Sequence, residues 1–99
     1  MDIRVLRYFI AAVEAESITR AAERLFLTQP TLSRQFMELE EELGHKLFVR
    51  SNKKLRLTAK GELFYARARS IVELCERTKR EMLEEDDLEG EIRIAAAET

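Results

Sequence analysis

The sequence predicts a mainly α protein: a winged helix-turn-helix of three helices plus a two-stranded wing, followed by a long linker and dimerisation helix. Three observations carry this. Apolar residues recur at helical spacing along most of the chain, whereas one short stretch alternates at spacing two. Only three glycines and one proline interrupt 99 residues, so turns are few. Small polar residues stand where each helix should begin.

The elements follow in order. Asp2 caps a first helix whose face is Ile3, Leu6, Phe9, Ile10 and Val13, ending near Ala15. Ser17 caps a short second helix carrying Ile18, Ala21, Ala22 and Leu25, and its alanines allow close approach of a neighbour. Phe26 and Leu27 make a brief break, in the place where a helix-turn-helix often has glycine. Thr28 caps a third helix, which tolerates Pro30 because N–H groups in a first turn have no intrahelical partner. Leu32, Phe36, Leu39 and Leu43 form its buried face, and Gly44 stops it. Leu47 and Val49, then Leu55 and Leu57, alternate around a turn at Ser51-Asn52-Lys53-Lys54, which reads as a small hairpin. Thr58 caps a helix reaching about Glu85, roughly 40 Å of helix at 1.5 Å per residue. Gly90 breaks that pattern, and Ile92 and Ile94 alternate as an opening strand would. The expected division is a winged helix-turn-helix over 1–58, a linker and dimerisation helix over 59–88, and the start of a truncated C-terminal domain over 89–99.

Charge is uneven. Net charge is −2, yet residues 1–57 hold ten Lys/Arg against eight Asp/Glu, and residues 58–99 hold seven against eleven. No acid falls between Glu42 and Glu62, while Lys46, Arg50, Lys53, Lys54, Arg56 and Lys60 all do. Binding to phosphate depends on such a local field rather than on the sum.

The third helix carries the chemistry. Pro30, Ser33, Arg34 and Met37 share the face opposite its apolar stripe, with Gln29 at the tip. A recognition helix presents short or flexible polar groups to base edges from its N-terminal turns. Arg34 can fork onto guanine O6 and N7, and Gln29 can pair with adenine N6 and N7. Thr19, Thr31 and Gln35 can bond phosphate, and a basic wing bearing Arg50, Lys53 and Lys54 can reach a minor groove or flanking phosphates. The acids Glu38, Glu40, Glu41 and Glu42 lie at the far end of the helix.

Along the long helix, Phe64, Ala68, Ile71, Cys75, Thr78 and Met82 are spaced as a heptad seam, flanked by Leu63, Val72, Leu74 and Leu83. A dimer through this helix is expected. It would give two reading heads a fixed spacing and a high effective concentration.

Other functions find little support. The single histidine, His45, and the single cysteine, Cys75, form no metal-ligand spacing, and no phosphate-binding glycine loop is present. The expectation is no enzyme and no cofactor. Cys75 reads as a small hydrophobe, and a lone cysteine fits a reduced, cytoplasmic setting. No apolar run approaches a membrane span, and MDIRVLRY lacks a signal-peptide stretch. On these physical grounds a winged-helix protein-interaction module and other winged-helix DNA-binding families stay open as alternatives.

The run Ser17 to Gly61, with RAAERL, LTQPTLSRQ, LEEELG, KLFVR and LTAKG in that order, resembles the DNA-binding end of LysR-type transcriptional regulators. LRYF in the first helix extends the resemblance, and GEIRIA resembles the start of that family's effector-binding domain. Ile18 stands where a phenylalanine is usual, and Phe36 where a smaller aliphatic is usual. The resemblance implies a sequence-specific transcriptional regulator that binds double-stranded DNA at an interrupted palindrome as a homodimer. Tetramer formation stays open for the full-length protein. By similarity, Gln29, Pro30, Ser33 and Arg34 enter the major groove, Thr31 and Gln35 contact the backbone, and Arg50 and Lys53 act from the wing. The resemblance implies that the linker helices pair antiparallel. It also implies that a small-molecule inducer acts only through a C-terminal domain, which is expected to be missing from this chain.

Overall fold

The computed structural model describes residues 1–49 and 54–84. Its elements are α1 (Ile3–Ala15), α2 (Ile18–Arg24), α3 (Gln29–Leu43), β1 (Phe48–Val49), β2 (Arg56–Leu57) and α4 (Ala59–Leu83). The hairpin is antiparallel, with Phe48 opposite Leu57 and Val49 opposite Arg56. The expected turn at 51–54 lies outside the described residues but for Lys54, and the expected strand around Ile92 lies outside them altogether. α4 ends at Leu83, slightly short of expectation, before the acidic run begins.

Each helix starts on the residue whose side chain can accept an orphan N–H. Asp2 accepts from Val5 N, Ser17 from Arg20 N, Thr28 from Thr31 N and Thr58 from Gly61 N. Gly44 closes α3 at φ 75°, a conformation glycine adopts without steric cost. Glu16 closes α1 in the same left-handed region, its N–H reaching Ala12 O and Val13 O.

The core lies between α1, α2 and α3 and is sealed by the hairpin root and the first half of α4. Phe9, Ala12, Ala21, Leu32 and Ala68 are wholly buried. Phe9 sits at the junction. Its ring meets Phe36 of α3 edge-on at 6.1 Å, Phe48 of β1 at 5.1 Å and Phe64 of α4 edge-on at 4.9 Å. Phe36 and Phe48 also touch, at 5.1 Å between centroids. The bulk of Phe36 is thus used to reach both α1 and the wing.

α4 docks its first turns closely. A Cβ on Gly61 would stand 2.1 Å from the Leu47 carbonyl oxygen, so only glycine fits there. The same carbonyl accepts from Thr58 N at 3.0 Å, and Thr58 Oγ1 donates to Lys46 O at 2.6 Å. Farther along, Arg7 pairs with Glu76, and Tyr65 donates to Glu14 at 3.3 Å. The Arg7 hydrogen bond is the main reason the Glu76 carboxyl is held below its ordinary range, with Lys79 beside it adding to the effect.

The α2–α3 turn departs from steric preference. Phe26 adopts φ 59° and is 94% exposed. It occupies the glycine position of the turn, and its ring packs on almost nothing. A left-handed conformation costs an L-residue about 1–2 kcal/mol, and asparagine tolerates it far better. Phe26→Asn is therefore expected to stabilise the fold by about 1 kcal/mol, raising the thermal midpoint by about 4–8 °C. A thermal melt followed by circular dichroism checks this, and a lower midpoint would show that the exposed ring contributes to folding.

Candidate nucleic-acid interface

α3 presents its N-terminal half outward because its apolar residues all lie on one side. Leu32, Phe36 and Leu39 are buried, and at 100° per residue Pro30, Arg34, Met37 and Glu41 fall opposite them. Gln29, Pro30 and Arg34 are exposed, and Ser33 is half-buried. Two side-chain hydrogen bonds tie the first turn together. Thr28 Oγ1 donates to Thr31 Oγ1 at 2.7 Å, and Gln29 Nε2 donates to Ser33 Oγ at 2.7 Å. Arg34 has no ion-pair partner among the described residues. A guanidinium next to this amide–hydroxyl pair, with no ion-pair partner among the described residues, can fork onto paired acceptors.

The remaining expected contacts are placed less uniformly. Thr19 is exposed in the first turn of α2. Thr31 is half-buried, with its hydroxyl engaged by the cap. Gln35 lies on the flank of α3 that faces α1, lining a shallow groove with Asp2, Val5, Glu38 and Glu42, so it is separated from the Arg34 face and has acids around it. Lys54 is exposed at the wing, 3.7 Å from Glu16. Arg50 and Lys53 lie outside the described residues.

Glu40 has a role that its sequence position alone did not suggest. Its Oε2 accepts from Leu47 N at 2.8 Å and Phe48 N at 3.2 Å, and its Oε1 lies 3.7 Å from Lys46 Nζ. The carboxylate bolts the wing root to α3. A signal was available: Glu40 follows Phe36 by one turn and borders the buried stripe, so it cannot point freely to solvent. Of the other acids near the end of α3, Glu42 holds the N-terminal amine at 2.9 Å, while Glu38 and Glu41 are exposed.

The Asp2 carboxyl is lowered, chiefly by the Val5 N–H it accepts. The Arg69 guanidinium is raised, chiefly by its hydrogen bond to Tyr65.

The expected seam on α4 divides. Ala68 is wholly buried against the chain's own helices, and Phe64 is half-buried against Phe9, so the structure commits both to this domain's interior. The physical reason is that α1 lies along α4 from its first turns through to Glu76 and covers that side. Cys75 is half-buried. Ile71, Thr78 and Met82 are exposed, and so are Leu63 and Leu74, which the seam had only flanking it. Among the described residues no helix is long and apolar enough to cross a membrane. No cluster among them could hold a metal ion.

The family described as bacterial regulatory helix-turn-helix protein, lysR family, matches residues 3–62. The Hca operon transcriptional activator HcaR of Escherichia coli (strain K12) is 45% identical over 89 residues, which cover 87% of this chain and 30% of HcaR. The regulator BsdA of Bacillus subtilis (strain 168) is 51% identical over 73 residues, covering 73% of this chain and 25% of BsdA. The chain thus spans a third or less of the length of these curated relatives. Among solved structures, the BenM DNA-binding domain in complex with catB site 1 DNA superposes with a TM-score of 0.78 at 41% identity, over 81% of this chain and 86% of that one. The CbnR DNA-binding domain in its DNA complex gives 0.78 at 43%, over 83% and 94%. With a match across more than half its length and a fold shared with these domains, the chain belongs to the lysR family of bacterial regulatory helix-turn-helix proteins.

Proposed function

We propose that this chain is the DNA-reading part of a LysR-type transcriptional regulator, acting as a homodimer on an inverted repeat in double-stranded DNA of the bacterial cytoplasm. The observation that carries the proposal is the outward N-terminal half of α3, where exposed Gln29, Pro30 and Arg34 surround Ser33 and no acid intervenes before Glu38. The likeness to the BenM and CbnR domains solved with DNA supports the same reading.

The roles follow from position. Arg34 forks onto a guanine edge in the major groove, Gln29 and Ser33 set the first contacts, and Pro30 supplies shape at the tip. Thr19 and Thr31 donate to phosphates on either side, and Gln35 is the weakest of the backbone contacts because of its acidic flank. Arg50, Lys53 and Lys54 act from the wing on the minor groove or the flanking backbone. The protein performs no catalysis in this reading and needs no cofactor. Effector sensing belongs outside residues 1–84.

The partner surface is the uncovered side of α4. Leu63, Ile71, Leu74 and Met82 are 43–64% exposed and share that side with Thr78. Paired antiparallel with a second copy, they would leave water together. Cys75 sits at the edge of this surface, while Phe64 and Ala68 support it from beneath.

Two substitutions separate reading from positioning. Arg34→Ala is expected to cost about 1–3 kcal/mol at one base pair and to relax preference there. Lys54→Ala is expected to weaken binding to every duplex alike and to lower the salt slope by about one. Fluorescence-anisotropy titrations over a salt series measure both, and an Arg34→Ala chain whose preference for specific over random DNA is undiminished refutes the assignment. Leu74→Glu places a charge on an exposed helix position, so it should spare the monomer fold while shifting the chain from dimer to monomer. Sedimentation velocity checks this, and an unchanged dimer would move the interface off this side of α4.

A further inference from the structure

Met37 is the one large apolar residue on the outward face of α3. It is 60% exposed, and with Arg34, Glu38, Glu41, His45 and Lys46 it lines a shallow groove between α3 and the approach to the wing. Its position relative to the reading residues is set by the helix. From Gln29 to Met37 is about 12 Å along the axis, which is also about the width of the major groove. From Arg34 to Met37 is about 4.5 Å, a little more than one base-pair rise of about 3.4 Å. Past Met37 the chain reads Glu38, Leu39, Glu40, Glu41, Glu42. Met37 is thus the last uncharged outward residue before acids that phosphates would repel.

We propose that Met37 is a specificity-determining residue that reads the C5-methyl group of a thymine next to the base pair contacted by Arg34. This rests on the DNA-reading assignment above. An apolar side chain in the major groove has one apolar group to meet on a base edge, the thymine methyl. Methionine suits that task because it is long, unbranched and polarizable, so it can follow a methyl without exact placement. Folding does not account for the residue: the core lies on the opposite side of α3, and Met37 remains exposed.

The test removes a single methyl group from the DNA. A duplex library with a randomised core is selected with the 99-residue chain, and each thymine of the preferred duplex is then replaced singly by deoxyuridine. With the unsubstituted chain, one thymine per half-site should show binding about fourfold weaker on losing its methyl, the worth of one buried methyl-sized group. Met37→Ala should bind the thymine and deoxyuridine duplexes equally at that position and keep the same response to changes at the guanine. Met37→Leu should retain most of the methyl preference. A scan with no sensitive thymine overturns the proposal, as does a Met37→Ala chain that keeps the fourfold difference, and in both cases a preference for the selected duplex that weakens on Arg34→Ala leaves the DNA-reading assignment standing. A library that yields no enriched duplex overturns both together.

Discussion

The packing of Phe9 is the constraint on which the other elements depend. One buried ring on α1 is the common neighbour of α3, β1 and α4, through Phe36, Phe48 and Phe64. Those three elements carry the proposed reading face, the wing and the proposed partner surface. One aromatic cluster therefore joins all three, alongside the polar contacts of Glu40, Thr58 and Arg7. Edge-to-face pairs have preferred geometries as well as buried area, so such a cluster fixes angles and not only proximity. The small residues Ala12, Ala21, Ala22 and Ala68 let the backbones come close enough for a single ring to span the gap.

α3 works differently at its two ends. Its N-terminal turns are internally satisfied by Thr28, Thr31, Gln29 and Ser33, which orders them without covering them. Its C-terminal turns are spent on architecture. Glu40 ties down the wing root, Glu40 O accepts from Gly44 N, and Gly44 turns the chain away. Order at one end and anchorage at the other hold the exposed Arg34 between two fixed points. That is the arrangement a rigid reading head needs, because a site on a supported helix holds its geometry better than one on a loop.

Much of this was legible in the sequence, for physical reasons. Capping is local, so Asp2, Ser17, Thr28 and Thr58 announced all four helix starts. Periodicity identified the buried stripe of α3 and hence its outward face. What stayed hidden depends on partners distant in the chain. The heptad spacing of Phe64 and Ala68 is real, but α1 covers them, and spacing alone does not say which neighbour a stripe meets. Glu40 looked like one acid among four until the Leu47 and Phe48 amides were placed beside it. Gln35 sits one residue past Arg34 and therefore on another side of the helix, toward α1. Phe26 shows the converse: its left-handed backbone follows from the turn, although its own side chain argues against it.

In the proposed function, α3 enters the major groove of DNA in two copies set by α4. Dimethyl sulfate tests it directly, since it methylates guanine N7 in the major groove and adenine N3 in the minor groove. On a duplex selected by this chain, guanine N7 should be protected in two symmetric half-sites, with adenine N3 protection confined to the flanks where the wings lie. Protection of adenine N3 alone, or of a single unpaired patch, would contradict that claim.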